Sequence, residues 1–329
     1  VIPHSKPLLG NEEANAARRV LESGMLAQGR EVRAFEDEFA AALDRRHAVA
    51  VGSGTAALHL ALLALGIGND DSVAIPSYAC AALPQAIALC HARPMLLDAN
   101  EDFLADHSKA RPEAHIVAHL FGATACLPEG APVIEDIAQS LGGATGAGGL
   151  CAVASFYATK MMTTAEGGML LTDDDALAEE ARDRRDYDNR DDWKPRFAYK
   201  MTDLAAAIGR EQLKRLPRFC ARRLALADRY HEGLAALPVR LPRAENHVYF
   251  RYVVATPRRD ALMAFLAERG IEAKRPVHRP AHHFLGGDFP GADRAHHEGL
   301  SIPLYPALTD EEAEHIIAML RAFFEDVPG

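Results

Sequence analysis

An α/β fold is what this sequence predicts: a largely parallel sheet between helices, followed by a smaller α/β unit at the C-terminal end. Three observations carry the prediction. The chain has 329 residues, 49% of them hydrophobic and 25% charged, enough for a large core and a second, smaller one. From His47 onward, strand-like apolar runs alternate with helical stretches, the pattern of strand–helix–strand units with both sheet faces covered. After "GGMLLTD" the alternation stops, helices dominate from about Asp174 to Gly233, and a shorter mixed segment follows. The change of domain is placed at Leu216–Pro217, which divides the chain into 1–216 and 217–329.

Taken in order, "NEEANAARRVLESG" reads as a helix with Asn11 as its cap, Ala14, Ala17, Val20 and Leu21 on one face, and Gly24 as its stop. "EVRAFEDEFAAAL" is a second amphipathic helix with a stripe of Val32, Phe35, Phe39 and Leu43. "HAVAV", "SVAIP", "RPMLLD", "AHIVAHL" and "PVIED" read as strands, and "TAALHLALLALGIG" and "ACAALPQAIALC" as helices. "CAVASFYATK" and "GGMLLTD" complete the sheet. In the last third, "YFRYVVAT" and "IEAKRP" are strand-like, "RDALMAFLAERG" is helical, and a final helix starts at Thr309.

The net charge of −10 disfavours a nucleic-acid partner, which requires a basic face. Cys80, Cys90, Cys126, Cys151 and Cys220 are odd in number and lack CxxC spacing, so free thiols are expected rather than disulfides or a zinc knuckle. His115 and His119 stand four apart, but in a strand and without an HExxH pattern. No metal is expected. No signal peptide opens the chain and no apolar run approaches a membrane span, so a cytoplasmic location and no membrane partner are expected.

Four features fall just past strands. "VGSGTAAL" is a strand, a turn at Ser53, Gly54 and Thr55, and a helix start, which aims N–H groups and a helix dipole at an anion. Tyr78 in "IPSYAC" is a core aromatic or a platform for a flat ligand. "PVIEDIAQS" offers Asp136, a helix cap or a partner for a ligand cation, with Gln139 after it. "SFYATKMMTTAEGG" offers Lys160, by itself a surface residue and, if desolvated, a Schiff-base former. An anion turn, an aromatic, an acid and a lysine in that order are the set that pyridoxal phosphate requires for its phosphate, ring, pyridinium nitrogen and aldehyde.

The chain resembles the DegT/StrS family of pyridoxal-phosphate sugar aminotransferases, of the aspartate-aminotransferase fold type I. The motifs are "SGMLAQGREVRAFEDEFAAAL", "GSGTAALHLALLALGIG", "VIEDIAQSLGG", "SFYATKMMTTAEGGMLLTDD", "KMTDLAAAIGREQLKRL" and "GLSIPLYPALTDEE". The resemblance implies a large domain with a mostly parallel seven-stranded sheet and a smaller C-terminal domain. It implies Lys160 as the Schiff-base lysine, Asp136 on the pyridinium nitrogen and Gln139 beside the ring. Ser53, Gly54, Thr55 and Ser155 match the phosphate site, and Tyr78 matches the stacking aromatic. Gln28, His278 and His282 are carried as substrate contacts. A homodimer with shared sites, a keto-sugar substrate that is nucleotide-linked, and glutamate as amino donor are also implied. Ala198 and Lys200 depart from the family's asparagine and arginine, and Asp98 to Pro132 is short for the family. The alternatives are a sugar dehydratase, which often carries histidine where Lys160 stands, and a non-catalytic cofactor-binding relative.

Overall fold

The computed structural model describes residues 1–243 and 245–326. It opens on two helices, α1 (Asn11–Ser23) and α2 (Arg30–Ala42). α1 stops at Gly24, whose φ of 71° is left-handed and suits a residue without Cβ. Its cap is Gly10 rather than Asn11; the Glu13 carboxylate reaches back to the Gly10 N–H at 2.7 Å. On α2, Val32, Phe35 and Phe39 are buried and Leu43 is half-buried just past the end, as the helical spacing requires.

Next come β1 (His47–Val51), α3 (Gly54–Ala64), β2 (Ser72–Pro76), α4 (Ala82–Leu89), β3 (Arg93–Leu97), β4 (Ala114–Ala118), β5 (Val133–Asp136), β6 (Cys151–Ser155) and β7 (Gly168–Thr172). They form one seven-stranded sheet in the order β1-β7-β6-β5-β4-β2-β3. β7 runs antiparallel to both of its neighbours, and the other pairs are parallel. The carboxyl ends of β1, β2, β4, β5 and β6 therefore share one edge with the start of β7. Open parallel sheets bind ligands at that edge. Between Asp98 and Pro132 lie β4 and one turn of 3-10 helix, Leu120–Gly122, but no α-helix.

The remainder is α5 (Asp175–Arg184), α6 (Asp203–Leu234), β8 (Tyr252–Ala255), α7 (Arg259–Glu268), α8 (His282–Leu285), α9 (Pro290–Glu298), β9 (Gly299–Ile302) and α10 (Asp310–Asp326). β8 and β9 pair antiparallel. The expected boundary at Leu216–Pro217 falls inside α6, a helix of 32 residues that continues through Pro217. Up to Cys220 the helix packs on the large sheet's core, with Leu216; from Leu226, Ala227, Tyr230 and Leu234 it packs on the small domain. The hydrophobic stripe changes partner while the helix carries on. "IEAKRP" forms no strand: Ile271 and Lys274 make isolated bridges to Ile2 and Ser301. Among the described residues, no helix is long and apolar enough to cross a membrane.

Three buried histidines tie this fold to pH. Burial, aided by nearby cations, lowers His4 to about 3. Burial, with the neighbouring His115, lowers His107 to about 4, and burial beside His231 lowers His247 to about 3. In the unfolded chain each takes a proton near the ordinary histidine value of 6.5. The unfolded state therefore binds more protons between those values, and stability falls as pH drops through that window. Urea midpoints are expected to be level above about pH 7 and to fall steadily from about pH 6.5 toward pH 4. A midpoint that stays constant down to pH 4 would contradict the burial of these rings as neutral bases.

Candidate active site

The edge of the sheet first builds an anion cradle. β1 ends at Val51, and Ser53 caps α3, its Oγ accepting the Ala56 N–H at 3.1 Å. The N–H groups of Gly54 and Thr55, in the first turn of the helix, have no acceptor within it. Ser155 ends β6 beside them: a Cβ on Gly54 would stand 2.8 Å from Ser155 Cβ. Gly168 pairs across the sheet with both Val51 and Ser155. A Cβ there would stand 2.4 Å from the Ser53 carbonyl. The glycines let two helix-start N–H groups and a serine hydroxyl meet in one small space, the arrangement that holds a phosphate.

Lys160 sits in the loop from β6 to β7. The Phe156 carbonyl closes this loop, accepting the Thr164 N–H at 3.0 Å and the Thr163 hydroxyl at 3.2 Å. Gln212 of α6 ties it down from outside through the Thr163 N–H, at 3.2 Å. The Lys160 Nζ lies 5.4 Å from the Phe250 ring centre. Burial lowers its pKa and Arg251 adds to that, while Asp136 and Cys80 oppose. The lysine is thus biased toward the neutral amine, the form that attacks carbonyls.

Asp136 ends β5, one strand from Ser155. Burial raises its pKa, and Lys160 and the Ala138 N–H lower it. The Ala138 bond, 3.0 Å, closes a local turn. No helix follows, so Asp136 is not a helix cap. Gln139 accepts the Phe121 N–H at 2.8 Å, which fixes its carbonyl oxygen and leaves its amide nitrogen for a ligand. Glu135, its side chain on the opposite sheet face, is structural. It binds His119 Nε2 and the N–H groups of Gly146, Gly148 and Gly149 at 2.7–3.0 Å. Burial works to raise its pKa, but these bonds hold it down at about 2. They anchor the glycine-rich loop that leads into β6. His115 and His119 have different partners, His107 Nδ1 at 3.1 Å and Glu135.

Other expected site residues lie elsewhere or face away. Tyr78 is 0% exposed and packs against Phe103 and Phe121, so it presents no ring face to a ligand. Cys80, two residues on, is exposed and acts electrostatically on Lys160. His282 is turned inward to Asp293, 3.1 Å away, while His278 is exposed. Gln28 is half-buried, its Oε1 without a partner among the described residues. Ala198 is exposed, and Lys200 binds Asp186 and Asp188 beside the end of β1. Sequence reading missed Arg251, which lies before β8. Its guanidinium sits 5.1 Å over the same Phe250 ring that Lys160 approaches. Among the described residues its one polar side-chain contact is His4 Nε2 at 3.3 Å, and no carboxylate neutralises it.

The match to known proteins agrees with this geometry. Residues 7–321 match the model of the DegT/DnrJ/EryC1/StrS aminotransferase family. The chain belongs to that family. It is an aminotransferase, and pyridoxal phosphate is its cofactor. DesV of S. venezuelae, solved in complex with a ketimine intermediate, is 33% identical with a TM-score of 0.90; the match covers 96% of this chain and 95% of that one. The aminotransferase TlmJ of Streptoalloteichus hindustanus is 30% identical over 99% of both chains, with a TM-score of 0.90. NtdA of Bacillus subtilis, with bound cofactor PMP, is 25% identical over 96% of this chain and 83% of that one, with a TM-score of 0.89.

The residues present fit the cofactor. The Gly54–Ser155 contact leaves a cradle that one added Cβ would fill, and Lys160, its pKa lowered by burial, feels the charge of the Asp136 carboxylate on the adjoining strand. Gly168→Ala is expected to push the Ser53 carbonyl aside, at a cost of about 1–3 kcal/mol in unfolding free energy, and to weaken cofactor binding measured by dialysis. Gly68→Ala, where a Cβ meets nothing within 4 Å, is the control. Equal behaviour of the two variants would contradict the cradle.

Proposed function

We propose that this aminotransferase moves the amino group of glutamate onto a keto sugar carried by a nucleotide. The observation that carries the reading is the electrostatic influence of Asp136, the last residue of β5, and Lys160, in the loop after the neighbouring β6, on one another, beside a phosphate cradle. The bound cofactor supplies an electron sink for the bond broken at the donor's Cα. Asp136 holds a proton on the ring nitrogen by charge, which keeps that sink effective. Lys160 would hold the cofactor's aldehyde and, as a free amine, would serve as the base that takes the proton from the donor Cα and as the acid that returns it. Gln139 and Ser155 orient the ring and the phosphate. We assign the uncompensated guanidinium of Arg251 to the carboxylate of the amino donor, for which a paired guanidinium is well shaped. Lys160, rather than histidine, at this position favours transamination over dehydration.

A homodimer is part of the same reading. Trp193, 90% exposed, and Met25, 69% exposed, are assigned to its interface. His278, which is exposed, is assigned to the sugar substrate, and Gln28 to its rim.

Lys160→Ala is expected to cut turnover by roughly a hundred- to ten-thousand-fold in an assay of glutamate with keto nucleotide-sugars read by mass spectrometry. Full turnover in that variant would overturn the assignment. Arg251→Gln is expected to raise the KM for glutamate by about ten- to a hundredfold, the loss of one charge-assisted pair, and to leave the KM for the sugar unchanged. A rise confined to the sugar would place Arg251 on the other substrate.

A further inference from the structure

α8 and α9 bring together three side chains that the transamination reaction does not use. His282 Nε2 lies 3.1 Å from Asp293 Oδ1, and His283 Nε2 lies 3.0 Å from the same oxygen. The three ligand-type atoms all fall within 4.8 Å of one another. We propose that His282, His283 and Asp293 form a site for a late first-row divalent ion of the zinc class, which fastens α8 to α9.

Zinc bonds of about 2.0–2.2 Å in a tetrahedron put ligand atoms roughly 3.3–3.6 Å apart. Two of the three edges are already close to that value, so an ion enters with adjustments of side chains alone. Two imidazoles and one carboxylate suit zinc and its neighbours, and are too rich in nitrogen for calcium or magnesium. His282 is held still, its side chain 3% exposed, whereas His283 and Asp293 are 31% and 43% exposed. The site is therefore anchored at its base and open to solvent for entry. The fourth position is left to water or to His296, whose ring lies 5.3 Å from that of His283 and whose buried Nδ1 has no partner among the described residues. The spacing hid the site from sequence reading: the two histidines are adjacent, and the carboxylate comes from a different helix.

The location gives the ion a consequence. The Ala281 N–H at the start of α8 donates to the Ser77 carbonyl at 2.9 Å. Ser77 begins the turn that carries Tyr78 and Cys80. Joining α8 to α9 therefore braces this turn from behind, about the cofactor side of β2.

The test is zinc titration of tag-free, chelator-treated holoenzyme by calorimetry, with metal analysis of the dialysed product. The expected result is a single ion per chain, with binding weakened at least about tenfold in both His283→Ala and Asp293→Asn. His91→Ala, at an exposed histidine far along the chain, is expected to bind as the parent does. Should a variant fail to fold, cobalt substitution of the parent decides: intense visible bands of four-coordinate cobalt support the site. Equal zinc affinity in parent and both variants, or cobalt bands of the hydrated ion only, overturns the proposal.

Discussion

The site depends on one close approach: Gly168 lies against the Ser53–Gly54 backbone. Gly168 pairs with Val51 on one side and Ser155 on the other, so it sets how near the ends of β1 and β6 come. A Cβ there would stand 2.4 Å from the Ser53 carbonyl, closer than atoms can pack. With glycine at this place, the α3 start and the Ser155 hydroxyl converge on one anion. β5 is the next strand over, and its register sets Asp136 level with Val153. Lys160 then needs only the loop from β6 back to β7 to reach the same edge. Phosphate, ring and aldehyde sites therefore follow from one register across four strands.

Charge at this edge is arranged against the usual rule that buried ions are paired. Glu135, on the far face, is saturated with donors and acts as a fixed anchor. Lys160 and Arg251 lie by the same phenyl ring, with Asp136 as the nearby acid. A guanidinium and a lysine by one ring, with Asp136 the carboxylate named as acting on Lys160, leave a site that a phosphate and a donor carboxylate would suit. The apolar floor of Phe250 strengthens the field there by keeping the local dielectric low.

Much of this was legible in the sequence, for physical reasons that also mark the limits. Strands of the large sheet are apolar runs between turns, and all seven appear where the runs do. Asp136 and Ser155 are the last residues of β5 and β6, and Lys160 lies in the loop after β6, so chain order alone forecasts a shared edge. Contacts made across the sheet were not legible. Tyr78 reads as a stacking aromatic, yet its ring is inside the core, and exposed Cys80 is the residue of that turn whose charge acts on Lys160. Pro217 reads as a break, yet α6 runs through it because both halves bury a stripe on different cores. Arg251 reads as part of a strand run; its missing counter-ion shows only in three dimensions.

The most direct test of the central claim is chemical and needs no substrate. Borohydride reduction of the holoenzyme, followed by proteolysis and mass spectrometry, locates the lysine that holds the cofactor. The account predicts that the added mass lies on the peptide containing Lys160 and on no other. Labelling of a different lysine, or of none in protein shown to contain the cofactor, would contradict it.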